Sequence, residues 1–214
     1  MSKPRVLIAD DHALVAEGLS SLLAEKYQIV GISPNGRRLL VDAAELKPDV
    51  IVLDIGMPEL NGIEAAVQLG KTLPTAKLVF VTQRVDVQYL RAAFRAGGAA
   101  YVAKQSATQE LLIAMERALA GEVYVTPLLK DALPNISLEA LRQTTDVFAR
   151  ELTPRQREVL QLVAEGKTIK EISAALKISP KTVEFHKNAL MNEIGLRTTA
   201  DLTRYAISRG VISG

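Results

Sequence analysis

Residues 49–62 read DVIVLDIGMPELNG. Four apolar residues, Val50 to Leu53, run straight into a carboxylate at Asp54, and a loop built on Gly56, Pro58, Asn61 and Gly62 follows. An apolar run of this length, bounded by turn residues, predicts a buried strand. That it ends on a charge asks for a reason beyond folding.

Four similar runs surround it: RVLIA, YQIVGI, KLVFVT and AAYVAK, rich in β-branched residues and too short for helices. Between and after them lie amphipathic stretches at Ala13–Glu25, Gly36–Leu46, Ile63–Lys71, Val87–Ala96 and Ala107–Ala120. The pattern is strand then helix, five times over. Strands covered on both faces by helices form a parallel sheet, so residues 1–121 are expected to fold as a flavodoxin-like (βα)5 α/β domain, doubly wound. In such a sheet the functional crevice opens at the carboxyl ends of the strands. Asp54 stands at one such end, Asp10 and Asp11 at another, and Thr82 and Lys104 at two more.

At 214 residues the chain has room for a second domain. With 48% hydrophobic and 23% charged residues it has the composition of an ordinary globular protein. It contains no cysteine, which excludes disulfides and Cys-based zinc sites. The opening MSKPRVLIADD holds too short an apolar run for a signal peptide core or a membrane span, so a cytoplasmic protein with no membrane association is expected. The net charge of +2 is uneven: residues 151–214 hold 10 basic against 7 acidic groups, while residues 1–121 are balanced at 13 each. That is a weak pointer to an anionic partner for the C-terminal third.

From Thr153 onward no strand-like run occurs. Thr153-Pro-Arg-Gln156 and Thr168-Ile-Lys-Glu171 each fit a capping box, and Gly166, Gly195 and Gly210 sit where helices should stop. Four short helices are expected near 154–165, 169–176, 180–194 and 199–209. Residues 122–150, with Pro127 and Pro134, read as a linker holding one helix from Ser137 to Arg150.

The acids at the strand ends carry the chemistry. Three carboxylates converging on one crevice repel each other unless a cation joins them. With oxygen ligands and no cysteine, a hard ion, Mg²⁺, suits them best. His12 follows the acidic pair, and its expected role is to open the first helix. Beside the cation, Lys104 supplies a fixed positive charge and Thr82 a hydroxyl donor; together they suit a phosphoryl group attached to Asp54, which would be the nucleophile. Polar strand ends are common in α/β sheets, and any one of these residues alone would be unremarked. Their types and order, however, resemble the receiver domain of bacterial response regulators over residues 4–121.

By that resemblance Asp54 is the phosphoacceptor, Asp10, Asp11 and the backbone carbonyl of Gly56 join it in holding Mg²⁺, and Thr82 and Lys104 bind the phosphoryl group. Tyr101 matches the aromatic that turns inward when the threonine moves. Two positions depart from the pattern. Gln83 stands where a small residue is usual, and Gln105 follows the lysine in place of an acid or proline; with Gly56 and Arg84 they are expected to alter phosphoryl lifetime.

The stretch PKTVEFHKNALMNEI, residues 180–194, is the second informative one. At 100° per residue Val183, Leu190 and Ile194 share one side, and Lys181, Glu184, Phe185, Asn188 and Asn192 the other. A phenylalanine at the centre of a polar arc suits either a partner surface or the DNA major groove, where Phe can touch a thymine methyl and Asn, Lys and Glu can read base edges. Together with the shorter helix before it and the turn Lys177-Ile178-Ser179, it makes a helix-turn-helix. Residues 152–206 closely resemble the four-helix LuxR-type DNA-binding domain, and the whole chain resembles a NarL/FixJ-type response regulator. The resemblance implies base contacts by Glu184, Phe185 and Asn188, and phosphate or groove-edge contacts by Lys181, Thr182 and Lys187. It also implies a sensor histidine kinase as phosphodonor, a homodimer on paired DNA half-sites when active, and RNA polymerase as a further partner. An aspartyl-phosphate phosphatase would carry a second acid two residues after the nucleophile, where this chain has Gly56. A regulator whose receiver takes no phosphate is the other alternative.

Overall fold

A computed structural model describes residues 2–130, 152–209 and 211–212 of the chain. It forms two compact units. The expected helix at Ser137–Arg150 and the helix stop at Gly210 lie outside the described residues.

The first unit runs β1 (Arg5–Ala9), α1 (Ala13–Leu23), β2 (Gln28–Ser33), α2 (Gly36–Leu46), β3 (Val50–Leu53), α3 (Gly62–Thr72), β4 (Lys77–Thr82), α4 (Val87–Arg95), β5 (Gly98–Ala103) and α5 (Ala107–Leu119). All strands pair in parallel, in the order β2-β1-β3-β4-β5 with a sixth, β6 (Tyr124–Val125), beside β5. Alternation along the strands sorts the core into two layers. Val6, Ile8, Val52, Val79, Val81 and Val102 pack with residues of α1 and α5 on one face. Their neighbours Leu7, Ile51, Leu53, Phe80 and Tyr101 are equally buried and point to the other.

The sixth strand is a difference from the sequence reading. Tyr124–Val125, within the stretch read as linker, forms β6 against Ala100 and Tyr101, and Pro127–Lys130 forms one helical turn, α6. Two residues carry no period, so the pattern could not announce a strand; side chains hold it instead. Glu110 of α5 accepts hydrogen bonds from the Tyr124 hydroxyl and the Thr126 hydroxyl, each at 3.1 Å, and Thr126 N–H donates to the Tyr101 carbonyl at 2.8 Å.

The loop that opened the sequence folds back on its own strand. Asn61 caps α3 by accepting from Glu64 N–H, and Gly62 N–H donates to the Ile55 carbonyl at 3.0 Å. A Cβ on Gly62 would lie 2.0 Å from the Asp54 carbonyl oxygen, so only glycine lets helix and strand end approach this closely.

The second unit is α7 (Pro154–Ala164), α8 (Ile169–Leu176), α9 (Pro180–Ile194) and α10 (Thr199–Ser208). Thr153 and Thr168 each form the expected capping box, and Ser179 and Thr198 cap α9 and α10. Lys177 turns the chain in the left-handed region, φ 52°, between α8 and α9, and Gly195 ends α9 at φ 71°. Val159, Leu160, Ile172, Val183, Leu190 and Leu202 close a core.

Candidate functional site

In the order β2-β1-β3 the chain reverses direction of growth beside β1, and the ends of β1 and β3 face the resulting crevice. Asp10 and Asp54 are both buried there. Lys104, which opens a single 3-10 turn after β5, reaches back so that its Nζ lies 2.7 Å from Asp10 Oδ2 and 2.8 Å from Asp54 Oδ2. The other Asp54 oxygen, Oδ1, accepts from the backbone N–H of Ile55 at 2.7 Å. Both carboxylate oxygens of Asp54 are thus held, which fixes the orientation of the group.

Lys104 Nζ is thus ion-paired with both buried carboxylates, through Oδ2 of each. Burial pulls the Lys104 ammonium down, but its contacts with Asp10 and Asp54 outweigh this and hold it above the ordinary lysine value. The charge on Lys104 is therefore permanent at physiological pH.

Asp11 is exposed, and His12 turns its ring to it, with Nδ1 2.9 Å from Asp11 Oδ1. Asp10, Asp11, His12 and Asp54 each offer one donor atom within 4.8 Å of all the others. Three carboxylates so close, two of them buried, fit a divalent cation. Gly56 lies in an exposed bend two residues after Asp54.

Thr82 ends β4, buried, and its Oγ1 accepts from the Arg84 N–H at 3.2 Å. Tyr101 lies wholly inside, with its hydroxyl donating to the Arg84 carbonyl at 2.6 Å and its ring stacked near Phe80. Burial pushes the Tyr101 hydroxyl well up, so it remains a donor. Arg84 thereby connects Thr82 and Tyr101 through the two ends of its own backbone, and its guanidinium covers the Tyr89 ring at 5.5 Å. Sequence reading gave Arg84 only a flanking role, because backbone bonds leave no residue-type signal. A cavity of about 400 Å³, lined by Thr82, Gln83, Val85, Ala103, Lys104 and Gln105, opens at these strand ends. Gln83 stands exposed on it.

In the helical unit, α9 presents Lys181, Glu184, Phe185, Asn188 and Asn192 to solvent, while Val183 and Leu190 are buried. Phe185 is 67% exposed, with its ring edge-on to that of His186. Thr182 and Lys187 are half-buried and already engaged: Thr182 Oγ1 meets the Ser179 hydroxyl, and Lys187 Nζ donates to Thr199 at 3.1 Å.

A parallel α/β receiver carrying an acid–lysine site, joined to a helix-turn-helix unit, defines a two-part regulator class. Known proteins agree. Residues 6–116 match the response regulator receiver domain, and residues 150–206 match the bacterial regulatory proteins of the luxR family. The transcriptional regulatory protein MctR of Rhizobium johnstonii is 33% identical over 99% of this chain and 96% of its own length. The oxygen regulatory protein NreC of Staphylococcus aureus is 33% identical over 97% of this chain and 99% of its own. Among solved structures, RcsB from Salmonella enterica serovar Typhimurium, bound to promoter P1flhDC with the phosphomimetic BeF3-, superposes with a TM-score of 0.62. It is 26% identical and covers 97% of this chain and 100% of its own. The chain belongs to the two-component response regulators that join a receiver to a LuxR-type DNA-binding domain. MctR is, by name, a transcriptional regulatory protein.

Proposed function

We propose that Asp54 is phosphorylated by a histidine kinase and that the phosphorylated chain dimerises and binds paired DNA half-sites to control transcription. The observation that carries this is the buried Asp54 carboxylate, held by Ile55 N–H on one oxygen and Lys104 on the other. An Asp54 oxygen attacks the phosphorus of a phosphohistidine, the P–N bond breaks, and the imidazole leaves with the electron pair. Lys104 and the Thr82 hydroxyl then bind the phosphoryl oxygens, Thr82 donating its hydroxyl hydrogen while its oxygen is the acceptor for the Arg84 N–H. Asp10, Asp11, Asp54 and the Gly56 carbonyl hold Mg²⁺, which when bound neutralises charge on the phosphoryl oxygens. Tyr101 is the switch residue, tied to Thr82 through Arg84.

The exposed arc of α9 is the DNA reader, with Glu184, Phe185 and Asn188 on base edges and Lys181, Thr182 and Lys187 on phosphates. The DNA-bound structure of a relative over nearly the full chain supports this. The functional division falls at 1–121, 122–150 and 151–214, the protein is cytoplasmic and no enzyme, and RNA polymerase is a partner. Among the described residues no helix is long and apolar enough to cross a membrane. A near-complete switch asks the phosphoryl group to favour the DNA-competent state by about 5.5 kcal/mol.

Intact-mass spectrometry after incubation with acetyl phosphate and Mg²⁺ tests the reading, followed by DNA mobility shift of both states. One phosphoryl adduct in wild type and none in Asp54→Ala is expected. An unmodified wild type, with a kinase donor failing equally, would leave a DNA-binding protein regulated without phosphate.

A further inference from the structure

Asp42 puts a carboxylate where packing asks for a hydrocarbon. Gly36, Leu39, Asp42 and Ala43 form the buried stripe of α2, and the Asp42 side chain is only 9% exposed. An ionised group so placed costs free energy unless it is paired, and an apolar residue of similar size would seal the stripe without that cost. Both oxygens of Asp42 are engaged. Oδ2 accepts from the hydroxyl of the fully buried Ser33 at 2.8 Å, and Oδ1 lies 2.7 Å from the guanidinium of Arg38, one turn earlier and largely in solvent.

Ser33 is the last residue of β2, a strand that needs an anchor. It is an edge strand paired with β1 alone, and its register slips between Val6 and Leu7, passing over Val30. Of its six residues Ser33 alone is buried. A bulged edge strand is held less firmly than an inner one, and the bond from Ser33 to Asp42 ties its carboxyl end to α2.

What that end holds is the acidic crevice. The Ser33 carbonyl accepts from Asp10 N–H at 3.1 Å, and the Ala9 carbonyl accepts from Asp54 N–H at 2.9 Å. The Ala9 carbonyl and the Asp10 N–H belong to one planar peptide group. That group therefore stands between Ser33 and Asp54, and a shift of the β2 end reaches both buried acids.

We propose that Ser33 and Asp42 are positioning residues for the crevice: through the Ser33 carbonyl they fix the Ala9–Asp10 peptide, and with it the placement of Asp10 against Asp54 for a divalent cation. The inference rests on the reading that these acids hold Mg²⁺. Neither residue is a ligand of the ion. Partners that orient ligands from behind commonly change metal affinity by about tenfold or more, and the effect here passes through one further bond.

The full chain, labelled with ¹⁵N, would be titrated with Mg²⁺ and followed through its backbone amide shifts, with amide hydrogen exchange and urea unfolding measured beside. Ser33→Ala and Asp42→Leu both cut the bond between β2 and α2. Each should weaken Mg²⁺ binding about three- to tenfold and speed exchange at the Asp10 amide. Asp42→Asn keeps an acceptor for the Ser33 hydroxyl while giving up the pair with Arg38, and Leu39→Val loosens the same helix without touching the bond. These two should bind Mg²⁺ within about twofold of wild type, even where their urea midpoints fall as far as that of Ser33→Ala. If one of the two disrupting variants does not fold, the other decides. Wild-type affinity in a disrupting variant, or affinity that follows the urea midpoint across all the variants, overturns the positioning role and leaves the cation reading standing. Amide shifts at Asp10 and Asp54 that stay unmoved in wild type at high Mg²⁺ overturn the cation reading, and this inference with it.

Discussion

Gly62 is where the start of α3 meets the strand end that carries Asp54, and Gly62→Ala puts that approach to a quantitative test. The new Cβ would stand 2.0 Å from the Asp54 carbonyl oxygen, 2.9 Å from its carbonyl carbon and 3.0 Å from the Ile55 Cα. All three are backbone atoms, so no flexible side chain can swing away. Restoring ordinary contact means shifting the start of α3 or the end of β3 by more than about 1 Å, with strain on the Gly62 to Ile55 hydrogen bond. Over-packing typically costs about 1–3 kcal/mol, and a backbone collision belongs at the upper end or above. A loss of about 3 kcal/mol lowers the melting point of the first unit by about 10 °C or more. Gly70→Ala, later in the same helix with nothing within 4 Å of its Cβ, should instead stabilise by about 0.5–1 kcal/mol. Urea unfolding followed by circular dichroism reads both, and the transition of the helical unit, unmoved, serves as internal control. If Gly62→Ala cost less than about 1 kcal/mol, or Gly70→Ala cost as much, the claim that glycine is required by the approach to Asp54 would fail.

Phe185→Ala should reduce specific DNA affinity at least about tenfold while shifting stability by no more than about 0.5 kcal/mol, since the ring is largely in solvent; fluorescence anisotropy with operator DNA and a thermal melt decide it. Thr153→Ala removes one half of a capping box and should cost the helical unit about 1 kcal/mol, recovered in large part by Thr153→Ser. Burial, helped by the hydrogen bond to Glu110, pushes the Tyr124 hydroxyl up to about 12. Its folded value lies above the unfolded one near 10, so its contribution is complete below about pH 10 and is lost as pH rises towards 12. Urea midpoints at pH 9 and 11 should therefore fall more in wild type than in Tyr124→Phe, and parallel declines would contradict the assignment. Tyr101→Phe deletes the bond to the Arg84 carbonyl and should cost about 1 kcal/mol in the same assay.

How much of this was legible depends on what each feature writes into residue types. Helices α1 to α5 and α7 to α10 carry repeating apolar faces, and their limits fall within two residues of those expected. Caps are equally plain, because Thr153, Thr168 and Ser179 are among the few short polar residue types whose side-chain oxygen can bond the helix start. The convergence of Asp10, Asp54 and Lys104 was readable from strand ends alone. What escaped was written in backbone and distance. β6 is only two residues long, held by Glu110, whose partners Tyr124 and Thr126 lie 14 and 16 positions away. The link from Thr82 to Tyr101 runs through the main chain of Arg84, a position any side chain could occupy. The ring of His12 was expected to open a helix, and it does occupy that position, but its orientation toward Asp10 and Asp11 comes from a turn that spacing does not specify.

These unreadable parts share a direction. Thr82 Oγ1 accepts from the Arg84 N–H, and the Arg84 carbonyl accepts from the Tyr101 hydroxyl, so displacing the Thr82 hydroxyl acts on a peptide segment whose far end holds the tyrosine. Tyr101 is in turn fixed to β6 by its own carbonyl, which accepts from Thr126 N–H at 2.8 Å, and Thr126 is fixed by Glu110. Each bond contributes only about 1 kcal/mol net. Their series nevertheless joins the Thr82 hydroxyl at the end of β4 to β6, beyond which the sequence leads on to the LuxR-type domain. A free energy of several kcal/mol cannot pass through any one such bond. A switch of the size proposed therefore has to draw on several of them changing together, with the repacking of Tyr101 among Phe80 and its neighbours as the largest single apolar element available.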